Sequence, residues 1–141
     1  DSVDPFIQNS EKGVFLLCKT SNKGSGDLQD LQLATGEFLY IHVAQLAQSW
    51  NVKNNIGLVV GATHVEAMAN IRAAAPDLWF LAPGVGAQGG ELESALRAGL
   101  RKDGKGILLP VSRGISRAEK PAKAAAELRD QIVNIKLALR K

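Results

Sequence analysis

The stretch Leu78-Trp79-Phe80-Leu81-Ala82-Pro83-Gly84-Val85-Gly86-Ala87-Gln88-Gly89-Gly90 constrains this chain more than any other. Its first five residues are continuously apolar, too short for a helix and of the kind expected of a strand buried on both faces. The residues after them cannot form regular structure. Pro83 has no backbone donor, and Gly84, Gly86, Gly89 and Gly90 let the chain take positive φ and bring its N–H groups close to a ligand. Glu91-Leu92-Glu93 then opens an amphipathic pattern, with Leu92, Ala95, Leu96, Gly99 and Leu100 on one side, which predicts a helix to about residue 102. Strand, glycine-rich turn and helix together gather unpaired backbone donors where an anion such as a phosphate would sit. The alternative is a tight connection that binds nothing, and one such turn does not decide between the two.

The next strand end has a turn of similar design. The apolar run Gly106-Ile107-Leu108-Leu109-Pro110-Val111 leads into Ser112-Arg113-Gly114-Ile115, so two successive strand ends offer polar or cationic groups to the same rim. Upstream, residues 13–20 and 56–61 read as buried strands. Pro5 suits the first turn of a short helix. Residues 37–50 approximate helical spacing through Phe38, Ile41, Ala44, Leu46, Ala47 and Trp50, whereas residues 27–36 are ambiguous between a loop and a short piece of either kind. Thr63-His64-Val65-Glu66 and Ser116-Arg117-Ala118-Glu119 both match a capping box, predicting helices over residues 64–74 and from residue 116 to about 140, the second with a break near Pro121.

Four strands alternating with four helices imply a parallel sheet with right-handed crossovers. Two architectures satisfy that order: a small doubly wound sheet, or part of a (β/α)₈ barrel, which typically needs about 250 residues. At 141 residues the chain could supply only half of one. In both, ligands sit at the C-terminal ends of the strands, where the unusual residues lie.

A net charge of +3 and five per cent aromatics give neither the basic patch nor the stacking platforms of a nucleic-acid binder. No apolar run approaches the roughly 20 residues of a membrane span, so a soluble, cytoplasmic protein with no membrane partner is expected. The single cysteine, Cys18, forms no internal disulfide, and with only His42 and His64 beside it there is no metal-ligand spacing. Cys18 is expected as an inert core thiol, and His42 on a helix surface. Lys19 could face either side of its strand, as a functional lysine or as a snorkelling one.

The motif Ala82-Pro83-Gly84-Val85-Gly86-Ala87-Gln88-Gly89-Gly90, with Ser112-Arg113-Gly114-Ile115 at the end of the next strand, resembles the orotidine 5′-monophosphate (OMP) decarboxylases, free-standing or as the decarboxylase half of UMP synthase. The segments Cys18-Lys19-Thr20-Ser21-Asn22-Lys23-Gly24-Ser25 and Val59-Val60-Gly61-Ala62-Thr63 are similar to the same family in the same order. The resemblance implies the C-terminal half of the family's barrel, strands five to eight. It also implies an enzyme that converts OMP to UMP and carbon dioxide with no metal and no organic cofactor, acting as a homodimer of complete barrels.

Carried over by resemblance, Gln88 donates its side-chain amide to the phosphate, with the pyrimidine edge as a second candidate partner. Arg113 grips the phosphate with its planar guanidinium. Backbone N–H groups near Gly89 and Gly114 complete the cradle, Ser21 hydrogen-bonds the pyrimidine, and Pro83 and Val85 line its apolar side. The family's proton donor lies in an Asp-x-Lys-x-x-Asp motif on strand three, and no such motif occurs here. Asp103-Gly104-Lys105 is the nearest, but Leu108 stands three residues after the lysine. No catalytic residue is therefore expected within these residues, the lysine and aspartate array coming from an N-terminal half that also covers the edge strands. The competing expectation is a non-catalytic phosphate-binding α/β module that folds alone.

Overall fold

The computed structural model describes residues 2–85 and 89–139. A short helix α1 (Asp4–Ile7), with Pro5 in its first turn, precedes strand β1 (Val14–Lys19). A turn of 3₁₀ helix (Lys23–Ser25) and a single helical turn α2 (Gly26–Gln29) come next, then α3 (Leu39–Trp50). Three further units complete the order: β2 (Ile56–Val60) with α4 (Val65–Ala74), β3 (Trp79–Leu81) with α5 (Gly89–Gly99), and β4 (Ile107–Leu108) with α6 (Arg113–Ser116) and α7 (Pro121–Ala138).

All four strands are parallel, and their spatial order β1-β2-β3-β4 is their order in the chain. A doubly wound sheet requires a reversal of strand order, which this sheet does not have. With crossovers of one hand, each step places the next helix on the same side. The register makes the two faces unequal. The row Leu16, Leu58, Phe80 and Ile107 packs beneath the helices, and Leu58 and Phe80 are fully buried against a core that includes Ala44, Ala47, Met68, Ile71, Leu92 and Leu96. On the other face lie Phe15, Gly57 and Trp79 in one row and Leu17, Val59, Leu81 and Leu108 in the next. There Leu17 is 68% exposed, Leu108 44%, Phe15 39% and Trp79 37%. The expectation of burial on both faces therefore fails for β3, and that of a buried strand for the second face of β1, where the described residues leave Phe15, Leu17 and Trp79 partly open.

Several boundaries differ from those the sequence predicts. Neither capping box forms. A turn in which the His64 N–H donates to the Gly61 carbonyl (3.2 Å) makes His64 the N-cap of α4, which leaves Glu66 one position short of the box. At the second site the Ser112 carbonyl accepts from the N–H groups of Ile115 and Ser116, closing α6 as its own turn, and α7 starts at Pro121, where the missing N–H costs nothing. Strand β4 stops at Leu108, short of Pro110, which cannot donate to a ladder. Helix α3 begins at Leu39 because Phe38 is extended and pairs with Gln32 in a short antiparallel bridge, an outcome for the ambiguous stretch.

At the N-terminal ends of β3 and β4 one side chain ties five carbonyls together. Arg72 of α4 donates through Nε and Nη2 to Gly99 O (3.0 and 2.7 Å), through Nη2 to Gly106 O (3.0 Å), and through Nη1 to Leu78 O (2.7 Å), Ala75 O (3.0 Å) and Pro76 O (3.3 Å). Its guanidinium lies 3.6 Å from the centroid of the Phe80 ring. Burial, with Arg101 nearby, lowers its pKa to about 10, so it stays charged at neutral pH. Arg101 in turn pairs with Asp103 at 2.6 Å and donates to Asp77 O.

Arg72→Ala leaves these carbonyls without their donor and is expected to lower unfolding free energy by about 3 kcal/mol in urea denaturation, with Arg72→Lys recovering only part. The Arg101 hydrogen bond, with the Lys105 N–H, holds the Asp103 carboxyl down from its ordinary 3.8 to about 2. A depressed acid stabilises fully above its unfolded value and loses that contribution as pH falls through the folded one. The stability gap between the native protein and Asp103→Asn should therefore be constant above about pH 5 and close between about pH 4 and pH 2 in acid titrations monitored by circular dichroism.

Candidate functional site

The C-terminal ends of the strands form a rim on which the sequence-predicted residues fall into two neighbouring groups. After β3 the chain turns at Gly84, whose φ of +98° suits glycine and disfavours a side chain. Val85 is buried there and Pro83 half-buried. After β4, Ser112, Arg113 and Gly114 form the first turn of α6. Between these loops and α7 lies an open cavity of about 550 Å³ whose wall includes Gly84, Val85, Pro110, Ser112, Arg113 and Gly114, with Glu127 and Gln131 of α7 opposite. Arg113 is exposed, and its guanidinium makes no hydrogen bond or ion pair among the described residues. Gln88 lies outside the described residues, and Gly89 is the first residue of α5.

Ser21 belongs to the second group, and the structure does not place it or Pro83 on the wall of that cavity. It stands at the tip of β1 against β2. A side chain at Gly61 would put its Cβ 3.0 Å from both the Cβ and the backbone N of Ser21, so any larger residue would press the Ser21 segment outward by a few tenths of an ångström. A Cβ at Gly84 would come within 4.0 Å of the Ser21 side chain and 3.6 Å of Thr63. Gly84 also lines a smaller cavity, about 260 Å³, with Ala62, Thr63, Glu91 and Ser94. The turn after β3 is thus the wall shared by the Ser21 side and the Arg113 side. The ladder holds it there: Ala62 N–H donates to Pro83 O (2.9 Å) and Ala82 N–H to Leu108 O (2.8 Å).

Lys19 turns away from the exposed sheet face. The register slips between Leu17 and Lys19, and the bulge leaves both Cys18 and Lys19 buried. Lys19 Nζ bonds Asp30 Oδ1 at 2.7 Å and lies 5.9 Å from the Tyr40 ring centroid. The ambiguous stretch therefore supplies polar partners to the β1 tip: Asp30 for Lys19, and Gln29, whose Oε1 accepts the Thr20 N–H at 2.9 Å. Two polar residues shortly after a Gly-Ser-Gly turn were the only sequence signal for them. His42 sits on the surface of α3, its Nδ1 3.4 Å from Glu37. His64 Nε2 is enclosed without a partner among the described residues. Among those residues no group of three or more His, Cys, Asp or Glu could hold a metal ion, and no helix is long and apolar enough to cross a membrane.

Residues 1–128 match the sequence profile of the orotidine 5′-phosphate decarboxylase / HUMPS family. The chain belongs to that family. It is 52% identical over 130 residues to the orotidine 5′-phosphate decarboxylase of Roseiflexus castenholzii, a match that covers 92% of this chain and 48% of that protein. Among solved structures it superposes on the Leishmania donovani OMP decarboxylase with a TM-score of 0.90 at 51% identity, covering 97% of this chain and 53% of the other. The L. donovani UMP synthase gives 0.91 at 55% identity, covering 98% and 31%. The chain thus spans about half the length of the curated decarboxylases it matches, and its parallel α/β fold is that of their (β/α)₈ barrels.

Cys18 is buried in the core. Its thiol donates to Tyr40 O at 3.1 Å, and burial pushes its pKa up to about 12. In the folded protein at about pH 8 it should resist iodoacetamide, with one equivalent of label in intact-mass spectra only after denaturation.

Proposed function

We propose that this chain is the C-terminal half, strands five to eight, of an orotidine 5′-monophosphate decarboxylase barrel. In this reading it holds the substrate for the conversion of OMP to UMP and carbon dioxide in pyrimidine biosynthesis. The observation that carries the reading is the rim, where Gly84 joins the Ser21 contact to the cavity lined by Val85, Arg113 and Gly114. Strand order without reversal, an apolar second face and coverage of half of each related decarboxylase support it.

Arg113, free of partners among the described residues, grips the phosphate through parallel N–H···O bonds that match the planar guanidinium. The backbone donors near Gly89 and Gly114 and the Gln88 amide complete the cradle. Ser21 fixes the pyrimidine edge, while Pro83 and Val85 exclude water beside it. The lysine that protonates C6 after carbon dioxide departs, and the carboxylates that press on the departing group, come from the N-terminal half. The whole protein acts as a homodimer of such barrels, without metal or organic cofactor.

The phosphate does not react, yet its binding energy can close loops and stabilise the transition state, so losing the grip lowers kcat as well as affinity. The chain should regain decarboxylase activity when mixed or co-expressed with strands one to four of a homologous barrel, read as UMP formed from OMP by chromatography. In that enzyme Arg113→Ala should cut kcat/KM about a thousandfold or more. No turnover in the mixture would overturn the assignment, and an unchanged kcat/KM for Arg113→Ala would remove the arginine from its role.

A further inference from the structure

We infer that Gln29 is a positioning residue for base recognition, acting on Ser21 through a directed hydrogen-bond relay; the inference rests on the reading of Ser21 as the pyrimidine contact. Gln29 closes α2, nine residues after Thr20. Its Oε1 accepts the Thr20 backbone N–H at 2.9 Å, and its Nε2 donates to Thr20 Oγ1 at 3.1 Å. The Thr20 hydroxyl has one proton, and it goes to Asn22 Oδ1 at 2.5 Å. The relay therefore runs in one direction, Gln29 to Thr20 to Asn22, and it grips the residues on both sides of Ser21.

The position of the relay matters as much as its chemistry. The ladder between β1 and β2 ends with the Gly61 N–H donating to Lys19 O at 2.6 Å. Thr20 is the first residue past that bond, and its N–H would have no strand partner. A single carboxamide replaces the ladder with two hydrogen bonds and extends the order of the strand by the three residues that include Ser21. From behind, Gly61 holds the Ser21 backbone at close range, and Asp30, next to Gln29, anchors α2 through buried Lys19. Ser21 itself stays exposed, with its hydroxyl free of any partner among the described residues. That is the state a pre-placed donor needs before its ligand arrives, since freedom removed in advance is not lost on binding.

The test uses the enzyme completed by its other half. Gln29→Ala should lower kcat/KM for OMP about tenfold and weaken inhibition by UMP to a similar degree, the effect of losing one part-buried pair of amide hydrogen bonds. Inhibition by ribose 5-phosphate, which keeps the phosphate and has no base, should be unchanged. In a Ser21→Ala background Gln29→Ala should add less than about twofold, because a residue that acts through Ser21 has nothing left to position. Thr20→Val keeps the N–H bond to Gln29, cuts the relay to Asn22, and should show the same base-selective loss to a smaller degree, which serves if Gln29→Ala folds poorly. Equal weakening of UMP and ribose 5-phosphate, or additive losses with Ser21→Ala, would overturn the relay. A wild-type mixture without turnover would overturn the decarboxylase reading and the inference with it.

Discussion

The fold depends on a half-buried cation that gathers carbonyl oxygens. Where a helix ends and a parallel strand begins, the last turn of the helix leaves carbonyls without partners, and in a sheet covered by helices water cannot reach them all. Arg72 meets this need at the junctions of α4 with β3 and α5 with β4 at once, because its fork presents five donors in a fixed plane. Its face rests on Phe80, the largest fully buried side chain, so the same group satisfies polar atoms and packs the core. Burial makes the charge harder to hold, but not by enough to remove it at neutral pH.

This arrangement divides the molecule into two ends with different physics. At the N-terminal ends of the strands, Arg72 spends its donors on backbone carbonyls, Arg101 donates to Asp103 and to Asp77 O, and Asp103 also accepts the Lys105 N–H. Asn55 does similar work beside them, reaching the carbonyls of Ile7, Asn9 and Lys12 to bind the α1 segment to β2. At the C-terminal ends, Arg113 and the Ser21 hydroxyl have no such partners among the described residues. One end commits these polar groups to structure, and the other leaves the two that the proposed function assigns to a ligand. That polarity is the one expected of βα-barrels, whose sites lie at the C-terminal face.

The sequence showed this polarity in outline, and the reasons for its failures are local. Continuous apolar runs placed β1, β2 and β3 within a residue or so, since a run such as Ile56-Gly57-Leu58-Val59-Val60 has few ways to be buried. It could not show that Phe15, Leu17 and Trp79 would have no cover, because burial of a second face depends on groups outside the strand. Capping motifs misled at Thr63 and Ser116: each competed with a turn set by the preceding strand end, and the turn won. Arg72 looked like an ordinary residue in the last turn of a helix. Nothing local records five carbonyls that arrive from residues 75 to 106. Gln29 was hidden for the same reason, since its partner Thr20 lies across a turn in a stretch with no clear period.

The exposed rows give a physical reason why phosphate grip and proton donor could reside in different halves of one proposed barrel. Leu17, Val59, Leu81 and Leu108 form a band across the whole sheet just below the rim, and covering such a band is favourable by roughly 25 cal/mol per Å² of apolar surface. The tips above it are fixed by other means, through Gly61 against Ser21, the ladder at Pro83 and Ala82, and the turn of α6. None of these contacts draws on the apolar face. In the proposed barrel the band can therefore join the two halves without deforming the loops assigned to substrate, and its burial would place the lysine and aspartate array across from a grip already formed.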